Sequence, residues 1–144
     1  MNWFNHLANV WNEGDGRTVA PLFSLNATYS ADPFAPPLHG RIAIVAYWQT
    51  ELANHRDVNC VIEPLHQGAD WAVAHWHTTL THADTGNFIE LDGVMIVQFN
   101  AAGECTNLRE WWHEEVRRSK EQEGYNAENS KQIMYGGFTY PPSQ

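Results

Sequence analysis

The chain has 144 residues, 43% of them hydrophobic and 17% charged, which excludes an intrinsically disordered protein and indicates one globular domain. Its 8 Lys and Arg residues against 17 Asp and Glu residues give a formal net charge of −9. Such a surface repels phosphate groups, so we expect no nucleic-acid partner and no membrane partner.

The N-terminal part of the chain predicts helices around one strand and one stiff loop. Apolar residues recur at helical spacing at the N-terminus, and Asp15 is placed to cap a second, short helix. The predicted elements in order are helices over 3–13 and 17–24, a strand over 25–31, a proline-rich loop around Asp32 and a helix over 40–55.

After this third helix the hydrophobic period changes from about 3.6 residues to 2, which is typical of strands. The predicted strands cover 58–67, 71–82, 88–100 and 104–115. Their links are short, which favours antiparallel hairpins. Helices followed by a meander predict an α+β fold, with the helices on one face of a curved sheet. We expect a domain over 1–115 and an irregular polar tail over 116–144.

The cysteines and the N-terminal residues predict the cellular compartment of the protein. Cys60 and Cys105 are far apart in sequence and lie in predicted strands, so we expect buried, reduced thiols. The first fifteen residues lack the basic and apolar regions of a signal peptide. We therefore expect a cytoplasmic protein.

Three segments carry a resemblance to a known family: "LFSLNATYSADPFAPPLHGRIAIVAYW" (22–48), "LDGVMIVQFNAAGECT" (91–106) and "LREWWHE" (108–114). Together with the element order they resemble the SnoaL-like group of the nuclear transport factor 2 superfamily. The resemblance implies a cone-shaped fold with a cavity under the helices. It leaves function open, because this fold hosts isomerases, cyclases, hydrolases, dehydratases and non-enzymatic binders.

The Asp-Pro-Phe segment is similar to that of ketosteroid isomerase, a member of this superfamily. The match implies that Asp32 is a general base at the rim of the cavity. That enzyme also uses a tyrosine and a protonated aspartic acid to stabilise an oxyanion, and Leu7 and Met95 take these places here. Both donors are missing, so we expect a mechanism different from that of ketosteroid isomerase.

The cavity wall is predicted from strand alternation together with the resemblance. Small residues at Ala72 and Ala74, opposite Trp76 and Trp112, would leave room for a ligand. The predicted ligand-binding residues are Phe34, Tyr47, Trp48, Cys60, Trp76, Leu91, Met95, Leu108 and Trp112. The alternative is that these tryptophans form an ordinary core that fills the cavity.

Glu110 shares the inward face of the last predicted strand with apolar neighbours. Burial would raise its pKa unless it is paired, and with Asp32 it would give two carboxylates in different environments. A slip of one residue would instead expose Glu110 and bury Arg109. The alternatives are an ion pair of Glu110 with Arg41 or Arg109, and an Asp32 that caps local backbone N–H groups.

His75 and His77 lie on one strand face, as two metal ligands would. This face is predicted to be the outer one, and spacing shows no third ligand, so we expect a dimer contact and no metal. The sequence has no nucleophile elbow, phosphate-binding loop, dinucleotide fingerprint or zinc pattern, so we expect no cofactor.

The leading functional hypothesis is a protein that binds a small hydrophobic molecule in an aromatic cavity. If it is an enzyme, we expect a cofactor-free isomerase, cyclase or dehydratase with Asp32 as base and Glu110 assisting. The rival hypothesis is a non-catalytic ligand-binding or dimerisation module. A homodimer through the sheet is expected in either case.

Overall fold

The computed structural model of the protein describes residues 2–119. Two α-helices, one 3₁₀ helix and a six-stranded sheet make up this part of the chain. The helices are α1 (Trp3–Glu13), the 3₁₀ helix (Gly16–Leu22) and α2 (Arg41–Ala53). The strands are β1 (Phe23–Ser30), β2 (Leu38–His39), β3 (His55–Gln67), β4 (Trp71–His82), β5 (Phe88–Phe99) and β6 (Cys105–Arg117). The predicted α+β class and helix order are confirmed.

The first two helices begin at capping residues, and the second of these caps, Asp15, is the one that the sequence predicts. Asn2 accepts a hydrogen bond from the Phe4 backbone N–H at 2.7 Å, and Gly14 ends α1 in a left-handed conformation with φ 78°. Asp15 accepts from the Arg17 backbone N–H at 3.1 Å. The segment that follows is a 3₁₀ helix, with Pro21 inside it, and not a regular α-helix.

The sheet has the strand order β2-β1-β6-β5-β4-β3. Strands β3 to β6 form the predicted antiparallel meander, whereas β1 pairs with β6 in parallel. Two shifts in register along β3 mark bulges, which bend a strand and increase its twist. The short edge strand β2 was not predicted. β6 runs to Arg117, two residues past the predicted domain end, and most of the predicted tail lies outside the described residues.

Both α-helices pack on the same face of the sheet. Asn12 fixes α1 to β3 through two hydrogen bonds with the backbone of Cys60, at 2.7 and 3.1 Å. A side chain at Gly16 would lie 2.5 Å from the backbone nitrogen of Gln49, so glycine lets the 3₁₀ helix rest directly on α2. These contacts hold the helices over the inner face of the sheet.

The predicted core residues are buried between the helices and the sheet. Leu7 and Met95, which the resemblance puts in the places of the two donors, are 1% and 2% exposed. Cys60 and Cys105 are buried free thiols whose pKa values burial raises to about 11 and about 12. None of the helices within residues 2–119 has the length and hydropathy needed to cross a membrane.

Candidate functional site

A cavity of about 390 Å³ lies between the helices and the inner face of the sheet. This volume is in the range of small-molecule sites. Six aromatic side chains from α1, α2 and three strands line it: Trp11, Tyr29, Tyr47, Trp48, Trp76 and Trp112. The tryptophans therefore form walls around an open space and do not fill it.

The tryptophans support one another through ring contacts. The Trp11 ring lies 5.6 Å from that of Trp48 and 5.4 Å from that of Trp76, and Trp76 lies 6.1 Å from Trp112, measured between centroids. The indole nitrogens of Trp48 and Trp76 are themselves buried and have no hydrogen-bond partner among residues 2–119. Because these nitrogens are shielded, the two walls offer ring carbon to an occupant and no N–H donor.

Gly93 makes room for this arrangement on β5. Its neighbours across the two ladders are Trp76 on β4 and Trp112 on β6. A Cβ atom at Gly93 would lie 2.9 Å from the Trp76 ring and 2.7 Å from the Trp112 Cβ. Glycine is thus needed for the two indoles to pack over the strand.

Glu110 contributes a buried carboxyl group to the cavity. Its side chain is 8% exposed, and the Tyr29 hydroxyl donates a hydrogen bond to Glu110 Oε1 at 2.8 Å. Burial raises the pKa of Glu110 to about 7, although the Tyr29 hydrogen bond acts in the lowering direction. Burial and the nearby Glu110 also raise the pKa of Tyr47. A carboxyl that titrates near neutral pH suits proton transfer.

The register of β6 is the one predicted from strand alternation. Arg109 lies on the opposite face, with its guanidinium 5.8 Å from the centroid of Trp111. Arg41 pairs with Glu104 at 3.2 Å. Neither arginine is therefore paired with Glu110, and both ion pairs considered from the sequence are absent.

A more polar group of side chains lines the solvent-facing end of the cavity, where Glu51 is exposed and His55, His82 and Glu114 are partly buried. Trp11 Nε1 donates to His55 Nδ1 at 3.1 Å, so the His55 ring is neutral with its proton on Nε2. Burial and the nearby His82 lower the pKa of His55. Burial raises the pKa values of Glu51 and Glu114, and His82 opposes this rise.

Asp32 and Phe34 lie in the exposed loop between β1 and β2 and do not line the cavity. The Phe34 backbone N–H donates to Asp32 Oδ1 at 2.9 Å, and the Phe34 side chain is 89% exposed. The Asp32 carboxylate thus caps a backbone N–H group of its own loop, which is the alternative to the catalytic role. Asp32 has no contact with the cavity, and its catalytic role stays a prediction.

The other predicted ligand-binding residues divide into two groups. Tyr47, Trp48, Trp76, Leu91 and Trp112 line the cavity beside Glu110. The remaining three are buried in the core behind the wall: Cys60, Met95 and Leu108.

Sequence reasoning missed several lining residues, of which Tyr29 and Trp11 matter most. Tyr29 lies two positions after Ala27 on β1, so both side chains are on the same buried face, and this direction was predictable from the strand pattern. Its contact with Glu110 depends on the parallel pairing of β1 and β6, which joins residues 81 positions apart.

His75 and His77 point to the outer face of the sheet, away from the cavity. His75 Nε2 lies 2.9 Å from Asp92 Oδ2, and His77 Nε2 lies 2.7 Å from Glu90 Oε2. No group of three or more His, Cys, Asp or Glu side chains within residues 2–119 could hold a metal ion.

The geometry agrees with the family to which the sequence belongs. The SnoaL-like domain family matches residues 4–108, so the chain is a SnoaL-like member of the nuclear transport factor 2-like superfamily. No curated protein matches the chain.

Two similar solved structures show the same fold. One is a hypothetical protein with a ketosteroid isomerase-like fold from Catenulispora acidiphila DSM 44928, in complex with trimethylamine. It has a TM-score of 0.69 and 13% identity over 99% of this chain and 96% of its own. The other is SalBIII, an epoxide hydrolase/cyclase-like enzyme with a role in pyran ring formation in the polyether salinomycin. It has a TM-score of 0.60 and 19% identity over 76% of this chain and 89% of its own.

Proposed function

We propose that this protein binds a small, largely apolar molecule in the aromatic cavity and moves a proton on it without a cofactor, using Glu110. The observation that carries this proposal is a buried carboxyl with a pKa of about 7 inside an open cavity of about 390 Å³. Near neutral pH both its protonated and ionised forms are populated, so one group can remove a proton and return it.

The reactions that suit such a group are isomerisation, cyclisation and dehydration. In each, the Glu110 carboxylate would take a proton from the bound molecule, and the resulting acid would return it at another atom. Tyr29 would hold the carboxyl in place through its 2.8 Å hydrogen bond. This proposal moves the base from Asp32 to Glu110, because Asp32 lies outside the cavity.

The similar structures support a cavity that takes small organic molecules. One of them was found with trimethylamine, and the other is described as acting in pyran ring formation. With 13% and 19% identity they carry the fold, and the chemistry proposed here depends on this chain's own residues.

One observation favours the rival function of non-catalytic binding. Leu7 and Met95 supply no donor, and the indole nitrogens of Trp48 and Trp76 are shielded from the cavity. A negative charge that develops on a carbonyl oxygen would then have few groups to stabilise it, and such stabilisation is a large part of catalysis in this type of reaction.

Hydrogen exchange on bound molecules tests the proposal without knowledge of the natural substrate. Small carbonyl compounds that raise the melting temperature would be incubated with the protein in D₂O, and NMR would follow deuterium incorporation at the carbon next to the carbonyl. We expect incorporation with the wild type, a loss of roughly 100-fold or more in Glu110→Gln, and no loss in Glu115→Gln, which alters an exposed carboxylate of the same strand.

The outcomes separate the candidate functions. Binding without exchange in the wild type would favour the non-catalytic role. Exchange that survives in Glu110→Gln but is lost in Asp32→Asn would return the base to the loop, as the sequence predicted.

A further inference from the structure

We infer that the molecule held in this cavity is an organic cation, an ammonium ion with an apolar body, whose charged group lies against Glu110 and the surrounding aromatic rings. This inference rests on the proposed binding function and specifies the class of ligand. It rests on three observations among residues 2–119: the acidic side chains of the cavity wall, its aromatic rings, and a Glu110 carboxyl that has no cationic partner there.

The ionisable groups of the wall are acidic in excess. Three glutamates line the cavity within the described residues, and no lysine or arginine does: Glu51, Glu110 and Glu114. The wall's two imidazoles are His55, which is neutral because Nδ1 accepts from Trp11, and His82. The whole chain, at −9, adds to the same field. This wall therefore disfavours an anionic ligand.

The aromatic walls suit a cation in a second, independent way. The faces of Trp and Tyr rings carry partial negative charge and attract a cation within about 6 Å of the ring centroid. Tyr29 and Tyr47 lie 5.5 Å apart beside Glu110, and Trp48 stands 6.4 Å from each of them. These rings line the same cavity as Glu110, so a cationic group beside Glu110 would lie near aromatic surface.

Among residues 2–119, Glu110 has no cationic partner of the kind that a buried carboxylate requires. A buried charge is stable only when it is paired, and in this part of the chain Glu110 accepts one hydrogen bond, from the neutral hydroxyl of Tyr29. Arg41 is paired with Glu104, and Arg109 lies on the other face of the sheet. A ligand ammonium group would supply the missing charge and would drive Glu110 into its ionised form.

Other titratable groups that act on Glu110 or line the same cavity come from five of the elements around it, whereas α1 and β5 line it with apolar and aromatic side chains. They are Tyr29 on β1, Tyr47 and Glu51 on α2, His55 and Cys60 on β3, His82 on β4 and Glu114 on β6. Affinity is compared at pH 8, where Glu110 is mostly ionised. Proton release from Glu110 is compared between pH 6 and pH 8.

Three probes of one size and different charge test the inference: benzylammonium, benzyl alcohol and benzoate, titrated by calorimetry and tryptophan fluorescence at pH 8. We expect benzylammonium to bind at least 10-fold more tightly than benzyl alcohol, and benzoate to be the weakest. Glu110→Gln should weaken benzylammonium at least 10-fold and leave benzyl alcohol unchanged. Glu115→Gln should change neither, because that carboxylate lies outside the cavity.

Proton counting on the wild type needs no variant. Titrations in two buffers of different ionisation enthalpy should show release of close to one proton per benzylammonium bound at pH 6 and about a tenth at pH 8, because Glu110 is mostly protonated only at the lower pH. Benzyl alcohol should release none.

Different results would contradict the cation inference and the proposed function. Benzyl alcohol or benzoate binding as tightly as benzylammonium would overturn the cation inference and leave the binding cavity intact. Benzylammonium binding without proton release at pH 6, or equally in Glu110→Gln, would overturn the pairing with Glu110. Failure of all three probes to bind would also overturn the inference, while deuterium exchange on carbonyl compounds would still decide the proposed function.

Discussion

At the scale of single residues, the charge state of Glu110 links stability to function. Burial raises its pKa from 4.5 to about 7, so the folded protein holds this proton more tightly than the unfolded chain does. The stability that protonated Glu110 contributes is therefore fully present below pH 4.5 and is lost as the pH rises through 7. A shift of this size corresponds to about 3 kcal/mol as an upper value.

Glu110→Gln should therefore stabilise the protein at alkaline pH. The amide stays neutral and still accepts from Tyr29, so the free energy of unfolding at pH 8.5 should exceed that of the wild type by about 2–3 kcal/mol. At pH 4 the difference should nearly disappear. Urea denaturation at both pH values measures this, with Glu115→Gln as the control. A difference that does not change with pH would contradict a buried, titrating Glu110.

Tyr29→Phe should change the acidity of Glu110 while it preserves the shape of the wall. The lost hydroxyl donates to the ionised carboxylate, so its removal should raise the pKa of Glu110 further, by about 1 unit. Carbon-13 NMR of labelled glutamate side chains measures the midpoint. A lower or unchanged midpoint would show that the hydrogen bond does not act on the ionised form.

The direction of Glu110 was predictable from sequence, and its partner was not. Alternation along β6 puts Glu110 and Arg109 on opposite faces, and the resemblance implied that the face with Glu110 is the inward one. The Tyr29 contact requires knowledge of which strand pairs in parallel with β6, and no local pattern carries that information. Asp32 was placed at the cavity through family resemblance, whereas its carboxylate binds the next turn of its own loop.

At the scale of elements, Gly93 shows how a strand can be shaped by the rings above it. Gly93→Ala would place a Cβ atom 2.4 Å from the Trp111 carbonyl oxygen and within 3 Å of two side chains. We expect a loss of about 1–3 kcal/mol in the free energy of unfolding and weaker ligand binding, because Trp76 and Trp112 must shift.

Urea denaturation and tryptophan fluorescence measure this effect. The control is Leu25→Ala on β1, where the side chain is 63% exposed. A Gly93→Ala protein as stable as this control would show that the strand tolerates a methyl group beneath the indoles.

The long elements were predictable and the short ones were not. α1, α2 and strands β4 to β6 each carry a hydrophobic period over eleven or more residues, which fixes their type. β2 has two residues, too few for any period to be visible. The 3₁₀ helix was predicted as a short helix without its type, because the Asp15 cap serves both kinds of helix.

At the scale of the whole molecule, the outer face of the sheet is the predicted homodimer contact. It carries the His75–Asp92 and His77–Glu90 pairs beside partly exposed Val94 and Trp111. We expect a dimer in sedimentation velocity and a monomer when Val94→Glu and Trp111→Glu are combined, because they add charge to an acidic chain. The control is Ile42→Glu on α2, where the side chain is 83% exposed. A wild-type monomer at all concentrations would contradict the prediction.

The pKa of Glu110 tests the central claim most directly, because both the proton transfer and the cation pairing depend on it. Carbon-13 NMR of protein labelled at the glutamate carboxyl carbon, titrated from pH 3 to pH 9, would give this value, and the signal missing from Glu110→Gln would assign it. We predict a midpoint of about 7 that falls when benzylammonium is added. A midpoint near 4.5, unaffected by the ligand, would show a solvated carboxylate and would contradict the account.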